Sequence, residues 1–247
     1  MMIKNRIKIK LKLFKIYLKR VFNTEFRKQN LSFKFGSHFN SISNYTILKF
    51  LSDDYENEEL FLAKMSVKDG DKILELGSGL GFVSMTISKN VNCNIVSYDV
   101  NKYLTKLNTS NSKLNNLKSI EYRFGSLVSD NSLSKKFLVS NEILKSSFDE
   151  RNFVATDLNF SENVPCYSFN EICKQESPNY LIIDIEGFES EIFNDNSIID
   201  FDSIDTILIE FHPNIYGEKE KQNLIKFLSN HFFNIHSSVK EVYLFKK

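Results

Sequence analysis

Proline, glycine and cysteine are scarce in this chain of 247 residues, which contains three prolines, eight glycines and three cysteines. So few prolines and glycines exclude a long linker or a low-complexity segment. The cysteines are odd in number and form no Cys-x-x-Cys pair, which argues against a disulfide framework and indicates a reducing compartment. We interpret Cys93, Cys166 and Cys173 as packing residues.

Long apolar runs are also missing. No stretch of about 20 apolar residues occurs, so we expect no membrane-spanning helix. The first residues lack the uninterrupted apolar core and the small-residue cleavage site of a signal peptide. Together with the unpaired cysteines, these absences predict a cytoplasmic protein that either stays free or lies peripherally on the inner face of the membrane.

Acidic side chains are absent from residues 1–20, which carry eight Lys or Arg. The chain has 32 basic side chains, so 24 of them face 31 acidic ones in the remainder, a net charge of −7. A mildly acidic body argues against nucleic acid as a partner.

Apolar residues recur at helical spacing between the N-terminal lysines, at Ile3, Ile7, Leu11, Phe14 and Leu18. We predict a basic, helical N-terminal extension over residues 1–50, although the alternation over residues 7–13 also fits a strand. Three interpretations stay open: a helix lying on an anionic membrane surface, a solvated helix packed on its own domain, and a disordered arm.

Residues 51–247 alternate between strand and helix patterns, which predicts one α/β domain built on a parallel sheet with helices on both faces. The last two strands are joined by about four residues, too few for a parallel crossover, so they must form an antiparallel hairpin. The predicted strands are 72–76, 94–98, 119–124, 179–185, 204–210, 232–236 and 241–245, and the predicted helices are 55–68, 80–90, 101–117, 132–146, 167–174 and 222–230.

The segment ELGSGLG at residues 75–81 follows the first of these strands. Gly77, Gly79 and Gly81 have the spacing GxGxG, whereas a dinucleotide fingerprint is GxGxxG. S-adenosylmethionine carries a sulfonium and an ammonium but no pyrophosphate, so the acid Glu75 suits it, and the glycines let the chain pass close under the ligand. The alternative for Glu75 is a hydrogen-bonded acid that ties loops together.

Polar residues also follow the second and third strands. Asp99 lies 22 residues after Gly77, where a carboxylate accepts hydrogen bonds from both ribose hydroxyls in nucleotide-binding sheets; its alternative is an N-cap of the next helix. Ser126, at the tip of the third strand, is our candidate for an adenine contact, or else it caps a turn.

The fourth and fifth strands run into Asp184-x-Glu186 and Glu210-x-His212. The two side chains of each pair point the same way if the chain is extended, and all four reach one crevice of the sheet. His212 is a candidate general base, with Asp184 and Glu210 orienting it or positioning an acceptor hydroxyl. Alternatively, these groups hold Mg²⁺ or Mn²⁺, which we do not favour, or cap loops. Neighbouring acids raise the pKa of His212 and burial lowers it, so the sequence leaves the direction of the net pKa shift open.

At these residues the chain resembles the FkbM-type methyltransferase family. The resemblance rests on YENEEL at 55–60, GDKILELGSGLG at 70–81, YDVN at 98–101, LIIDIEGFESEIF at 181–193 and IEFHP at 209–213. It implies a Rossmann-like, seven-stranded, mostly parallel sheet of the class I methyltransferases over residues 51–247, with methyl transfer from S-adenosylmethionine to oxygen, often on sugars, glycans or natural products.

The resemblance also distributes the site residues. The predicted cofactor-binding residues are Glu56, Glu75, Gly77, Ser78, Gly79, Gly81, Asp99, Val100 and Ser126, and the predicted catalytic residues are His212, Asp184, Glu186 and Glu210. The family often has lysine where Ile182 stands, so we expect no lysine-assisted mechanism. We expect a hydroxyl of a sugar, glycan or glycolipid as the acceptor; a nucleic-acid or small-molecule methyltransferase and a non-catalytic adenosyl-binding protein are the alternatives.

Overall fold

The computed structural model describes residues 2–36, 42–130, 132–140, 158–194, 199–231 and 233–247. Its helices are α1 (Met2–Val21), α2 (Asn44–Phe50), α3 (Asn57–Ser66), α4 (Phe82–Asn90), α5 (Lys102–Leu114), α6 (Phe169–Glu176), α7 (Glu189–Ile192), α8 (Pro213–Tyr216) and α9 (Glu218–Asn230). Its strands are β1 (Phe26–Lys28), β2 (Leu31–Phe33), β3 (Lys72–Leu76), β4 (Asn94–Asp99), β5 (Ile120–Phe124), β6 (Ser126–Val128), β7 (Ser134–Ser140), β8 (Leu158–Ser168), β9 (Tyr180–Ile183), β10 (Thr206–Glu210), β11 (Asn234–Val239) and β12 (Val242–Lys246).

The central sheet has seven strands in the order β11-β12-β10-β9-β3-β4-β5. The pairs β10–β9, β9–β3, β3–β4 and β4–β5 are parallel, whereas β12 runs antiparallel to both β10 and β11. The tight turn between β11 and β12 is the predicted hairpin. The predicted fold class, a mostly parallel Rossmann-like sheet with a C-terminal antiparallel hairpin, is therefore confirmed.

Apolar side chains of the central strands cover both faces of this sheet. Ile73 of β3 packs into one buried cluster, with residues of α3, α4 and α5, and Leu74 packs into the other, with residues of α6, α7 and α9. Burial on both faces explains why the central strand β9, with the sequence YLII, is a continuous apolar run rather than an alternating one. Each fully buried phenylalanine in these clusters contributes about 1.5–3 kcal/mol.

Part of the N-terminal extension belongs to this core. Residues 2–21 form the helix α1, and the short hairpin β1–β2 follows it. Phe33, Phe35 and Phe50 are fully buried and make edge or stacked ring contacts with one another, and Phe33 and Phe50 also meet Phe82 of α4 edge-on. Aromatic packing thus fixes the extension to the domain from Phe26 onward.

The prediction of a helix over residues 132–146 was wrong. The chain forms the strand β7 over Ser134–Ser140, antiparallel to β8, and residues 141–146 lie outside the described part. Strand β6 pairs with the other edge of β8, which completes a second sheet in the order β6-β8-β7. The apolar spacing of this stretch fits a helix, but pairing with the distant β8 supplies its hydrogen bonds and overrides that local pattern.

No helix within the described residues is both long enough and apolar enough to cross a lipid bilayer.

Candidate active site

Strands β3, β4, β9 and β10 all end at one cavity, with a volume of about 920 Å³. Parallel strands bring their carboxyl ends to the same edge of a sheet, which is where ligands bind in open α/β folds. The predicted site residues that line this cavity are Glu56, Gly77, Gly79, Asp99, Val100, Ser126, Asp184, Glu186, Glu210 and His212. Glu75, Ser78 and Gly81 are not among its lining residues.

Gly77 lets β3 turn against the end of β9. Its φ is +86°, and a Cβ at this position would lie 1.6 Å from the backbone oxygen of Asp184. The Gly77 N–H donates to the backbone oxygen of Tyr98 at 2.9 Å, which joins the turn to β4 as well. Only glycine satisfies both the positive φ and this close approach.

Glu56 lies over the next glycine of the turn. Its Oε1 is 3.5 Å from the point where a Cβ on Gly79 would stand, and its Oε2 is buried with no hydrogen-bond partner. The residue holds a left-handed backbone, with a φ of +51°, as the N-cap of α3. Burial raises the pKa of Glu56 to about 8, although the hydrogen bond from Tyr55 lowers it. A buried carboxyl with one unpaired oxygen, above a glycine turn, fits a cationic ligand.

Asp99 braces the glycine turn as well as lining the cavity. Its Oδ2 accepts hydrogen bonds from the Ser78 N–H and hydroxyl, at 3.1 and 3.0 Å, and from the Gly79 N–H at 3.1 Å. Its Oδ1 accepts from the Asn101 N–H at 2.8 Å. Burial raises the pKa of Asp99 to about 6 despite these donors. The N-cap of α5 is Asn101, so the N-cap interpretation of Asp99 is dropped.

Asn101 is a cavity residue that the sequence reasoning missed. Its Oδ1 caps α5 by accepting from the N–H groups of Tyr103 and Leu104, at 3.0 and 3.2 Å. Its Nδ2 is buried and has no hydrogen-bond partner, although the residue lines the cavity. An asparagine directly before a helix signals a cap, so only this unpaired donor marks it as a candidate for ligand contact.

The three predicted residues that do not line the cavity lie next to it and hold the lining residues or the neighbouring elements in place. The buried Glu75 accepts from the Ser97 hydroxyl on β4, and burial raises its pKa to about 7. The Ser78 hydroxyl links Asp99 to Asn108 of α5. Gly81 begins α4 with a φ of +73°, and a Cβ there would lie 2.9 Å from the Asn108 side chain.

Val100 and Ser126 line the cavity beside Asp99. Val100 packs against a small apolar cluster that contains Phe137 of β7, so the second sheet forms part of the cavity wall. Ser126 is buried at the start of β6, and its hydroxyl donates to the Leu127 backbone oxygen at 3.4 Å. Its adenine contact stays a prediction.

His212 is enclosed by carboxylates at the other side of the cavity. Its Nδ1 lies 3.0 Å from Glu189 Oε1, and its Nε2 lies 3.5 Å from Asp184 Oδ1 and 3.7 Å from Glu186 Oε2. Burial lowers the pKa of His212, but the hydrogen bond and charge of Glu189 and the charges of Asp184 and Glu186 raise it further, to about 10. The imidazole is therefore protonated at neutral pH in the protein alone.

Glu189 is the second residue that the sequence reasoning did not single out. It is fully buried at the start of α7, and its Oε1 also accepts from the Gly187 N–H at 3.4 Å. Its only signal is its place in the segment Asp-x-Glu-Gly-x-Glu, which brings a third acid three residues after Glu186. Glu189 fixes a proton on Nδ1 of His212 and turns Nε2 toward Asp184.

Glu210 and Glu59 form a carboxyl pair next to this cluster. Burial and the neighbouring Glu59 raise the pKa of Glu210 to about 8, and the two side chains share a hydrogen bond, which requires a proton between them. Asp184, Glu210 and His212 each offer one ligand atom, and these atoms lie within 4.8 Å of one another. A divalent cation would have to displace the protons that this cluster holds at neutral pH.

The cavity as a whole is strongly acidic. Its described lining has one lysine, Lys49, and nine carboxyl side chains, which are Asp54, Glu56, Glu58, Glu59, Asp99, Asp184, Glu186, Glu210 and Glu241. Low-dielectric walls of one charge sign attract ligands of the opposite sign. The cavity therefore suits a cationic ligand and repels polyanions.

Three solved structures that are similar to this one are distant from it in sequence. A protein of the NADB-Rossmann superfamily from Streptococcus agalactiae is 14% identical, with a TM-score of 0.47, 76% of this chain and 67% of that chain covered. A precorrin-6y C5,15-methyltransferase from Geobacter metallireducens is 14% identical, with a TM-score of 0.44 and coverages of 79% and 88%.

A putative tRNA (m1A22) methyltransferase from Streptococcus pneumoniae, in complex with S-adenosyl-L-methionine, is 12% identical, with a TM-score of 0.41 and coverages of 76% and 69%. Because each of these TM-scores is below 0.5, no conclusion about this chain rests on them. No curated protein matches the chain.

The family comparison is specific. The model described as the methyltransferase FkbM domain matches residues 82–235, more than half of the chain. The match begins directly after the glycine turn and contains Asp99 and the whole stretch from Asp184 to His212. The predicted class, a methyltransferase that uses S-adenosylmethionine, is thereby confirmed. The chain belongs to the FkbM methyltransferase domain family.

Proposed function

We propose that this protein transfers the methyl group of S-adenosylmethionine to a hydroxyl of a sugar, glycan or glycolipid. One observation carries the proposal: the cavity that contains the glycine turn also contains His212 and its ring of carboxylates. Carboxylates accept hydrogen bonds from hydroxyl groups, and a histidine between them offers a site for the proton that the hydroxyl loses.

The residues on the glycine side fit the cofactor. Glu56 would pair with a cationic group, the turn at Gly79 gives close access to backbone, and Asp99 and Asn101 would meet the ribose. The unpaired Glu56 Oε2 and Asn101 Nδ2 are the atoms in most need of a ligand, because burying a polar group without a partner costs about 1–3 kcal/mol. When bound, S-adenosylmethionine supplies an electrophilic methyl group on a sulfonium.

The residues on the opposite side hold the acceptor and take its proton. Asp184 and Glu186 accept hydrogen bonds from the acceptor. Glu189 accepts a hydrogen bond from Nδ1 of His212 and so keeps one imidazole proton on that nitrogen. We assign proton acceptance to Nε2 of His212, because a cationic ligand in the same cavity lowers the pKa of the imidazole toward the range where a base works. Proton removal of this kind contributes about 10²–10⁴-fold to the rate.

The charge of the cavity supports a neutral acceptor over nucleic acid. The described lining has two cationic groups, Lys49 and the protonated His212, against nine carboxyl groups, of which Glu56 and the pair of Glu59 and Glu210 hold protons. It therefore lacks the excess of lysine and arginine through which a phosphate backbone binds. A non-catalytic adenosyl-binding protein would have no use for the buried pair of His212 and Glu189, whose charges are costly to bury.

Methyl release from labelled S-adenosylmethionine, with pooled sugars, glycans and glycolipids as acceptors, tests the proposal. We expect transfer to a hydroxyl, and a loss of about 10²–10⁴ in kcat for His212→Gln with cofactor affinity retained. His236→Gln, which changes an exposed histidine, is the matched control and should turn over normally. EDTA should leave turnover unchanged. Binding without transfer, or transfer only to nucleic acid, would contradict the proposal.

A further inference from the structure

Helix α1 docks on the protein through one face of its C-terminal half, at Ile16, and leaves a second apolar face outside. Ile16 is buried, whereas Ile7, Leu11, Phe14 and Leu18 are exposed. At 3.6 residues per turn, Ile16 points about 180° away from Ile7. The exposed residues form a strip along the outer side of the helix, which we call the α1 strip.

Positive charge runs beside the α1 strip. Lys8, Lys12, Lys15 and Lys19 recur every three or four residues along one flank of the helix, all four exposed, and α1 contains no acidic residue. An apolar strip flanked by lysines is the pattern of a helix that lies in the interface of an anionic lipid surface. A nucleic acid would use the lysines but not the strip, and a symmetric partner copy would place like charges together.

The far end of α1 is tied to the helix that walls the cavity. The Arg20 guanidinium donates to the Gly36 backbone oxygen at 3.2 Å and to Asn44 Oδ1 at 2.9 Å. Asn44 is the first residue of α2, and α2 contributes Tyr45 and Lys49 to the cavity lining.

We propose that α1 lies in the interface of an anionic lipid surface through the α1 strip. Ile16 and Arg20, which hold α1 to the protein, lie on the side of the helix away from this strip, so the domain leaves the strip free to meet the lipid. The proposal is independent of methyl transfer, because no acceptor takes part in it.

Cosedimentation with lipid vesicles tests the proposal. The full chain should bind vesicles of phosphatidylcholine and phosphatidylglycerol and not vesicles of phosphatidylcholine alone. The double variant Leu11→Ser, Phe14→Ser should lose at least about tenfold in binding. Its matched control is Phe61→Ser, Met65→Ser on α3, because Phe61 and Met65 are 54% and 57% exposed, against 56% and 58% for Leu11 and Phe14.

Lys8→Gln, Lys12→Gln, Lys15→Gln should weaken the same binding by about fivefold per lysine at low salt. The triple variant Lys64→Gln, Lys89→Gln, Lys118→Gln removes the same charge from exposed positions elsewhere and should bind like the wild type. Calorimetry with S-adenosylmethionine on each variant, expected to be unchanged, shows whether the cavity is intact, so loss of vesicle binding is separated from loss of the site.

Fluorescence tests which face of α1 meets the lipid, because the chain contains no tryptophan. Phe14→Trp should shift to the blue and be quenched by brominated lipid when anionic vesicles are added, and Phe61→Trp should not respond. Vesicle binding without a response of Phe14→Trp would overturn the assignment of the α1 strip. Failure of the wild type to bind vesicles, dimerisation through the α1 strip, or RNA binding in place of lipid binding would overturn the whole proposal.

Discussion

Glu56 gives the sharpest test of how the cavity takes a cation. Burial raises its pKa to about 8, so in the free protein at pH 7 it holds a proton. A cation beside the carboxylate favours its charged form and lowers the pKa toward its ordinary value. Binding of S-adenosylmethionine should therefore release a proton from Glu56, and Glu56→Gln should abolish that release.

The size of the effect follows from the pKa. With a pKa of about 8, about 0.9 of the Glu56 side chains are protonated at pH 7, so about 0.9 proton per bound ligand should come from this residue. The same linkage predicts that the affinity of the wild type falls by about tenfold for each pH unit below about 8. In Glu56→Gln the affinity for S-adenosylmethionine should be weaker at pH 8. Its dependence on pH should correspond to one fewer proton released per bound ligand than in the wild type.

Calorimetry in two buffers of different ionisation enthalpy measures the number of protons released. Other groups of the cavity contribute to the total, but the difference between the wild type and Glu56→Gln isolates this residue. Titration with S-adenosylhomocysteine, which keeps the ammonium and lacks the sulfonium charge, tells which cationic group Glu56 faces. Release by both ligands indicates the ammonium, and release by S-adenosylmethionine alone indicates the sulfonium.

Glu58→Gln is the matched control. Glu58 lies on the same helix and lines the same cavity, but its hydrogen bond with Lys240 lowers its pKa, so it has no proton to release at pH 7. Its variant should release as many protons as the wild type. Equal release by the wild type and Glu56→Gln, or equal losses in both variants, would refute the reasoning.

Three further predictions follow from the same geometry. Glu189→Gln removes a charged hydrogen bond worth about 1.5–3 kcal/mol, so the pKa of His212 should fall from about 10 by about one to two units in an NMR titration of the imidazole. Gly77→Ala should prevent folding or lower the melting temperature sharply, because its Cβ would meet the Asp184 backbone oxygen at 1.6 Å. The free energy of unfolding of the free protein, measured in urea, should fall as the pH rises from about 5 to 8. The folded state keeps protons on buried acids that the unfolded state releases near pH 4. These acids are Glu56 with a pKa of about 8, Glu75 with about 7, Asp99 with about 6 and Glu210 with about 8.

The first two of these predictions have matched control variants. Glu191→Gln changes an exposed acid of the same helix and should leave the His212 titration in place. Gly70→Ala meets the same backbone strain, with a φ of +90°, but finds nothing within 4 Å, so it should cost far less than Gly77→Ala. The pKa of His212 is also raised in the folded state, so this residue changes the stability with the same sign as the acids. Its stabilising contribution is complete below about pH 6.5 and is lost as the pH rises through about 10. Stability that increased between pH 5 and pH 8 would contradict the raised pKa values.

The elements that the sequence predicted well are those whose pattern is local. Lys72–Leu76 is a short segment with three apolar residues, bounded by a turn at Gly70 and by the glycine segment, and the observed strand has the same bounds. The antiparallel hairpin at the end of the chain followed from the length of one connection. Cavity residues at strand ends were also accessible, because a parallel sheet brings those ends together wherever the side chains point.

What the sequence did not predict depends on contacts between distant segments. Strand β7 was taken for a helix because its pairing with β8 is invisible in its own residues. The sequence assigned Asp99 to the ribose or to an N-cap, whereas its Oδ2 accepts three hydrogen bonds from the glycine turn. The direction of the pKa of His212 depended on Glu189, whose buried position emerges only when α7 packs beside the end of β10.

The two sides of the cavity are coupled through charge. Without a ligand, protons on Glu56, on the pair of Glu59 and Glu210, and on His212 limit the repulsion among the nine carboxyl groups of the described lining. A cation that enters takes over this role, so the same event that ionises Glu56 also lowers the pKa of His212. Cofactor binding would thereby prepare Nε2 of His212 to accept a proton, and a histidine that is charged and idle in the free protein becomes a base only when a methyl donor is in place.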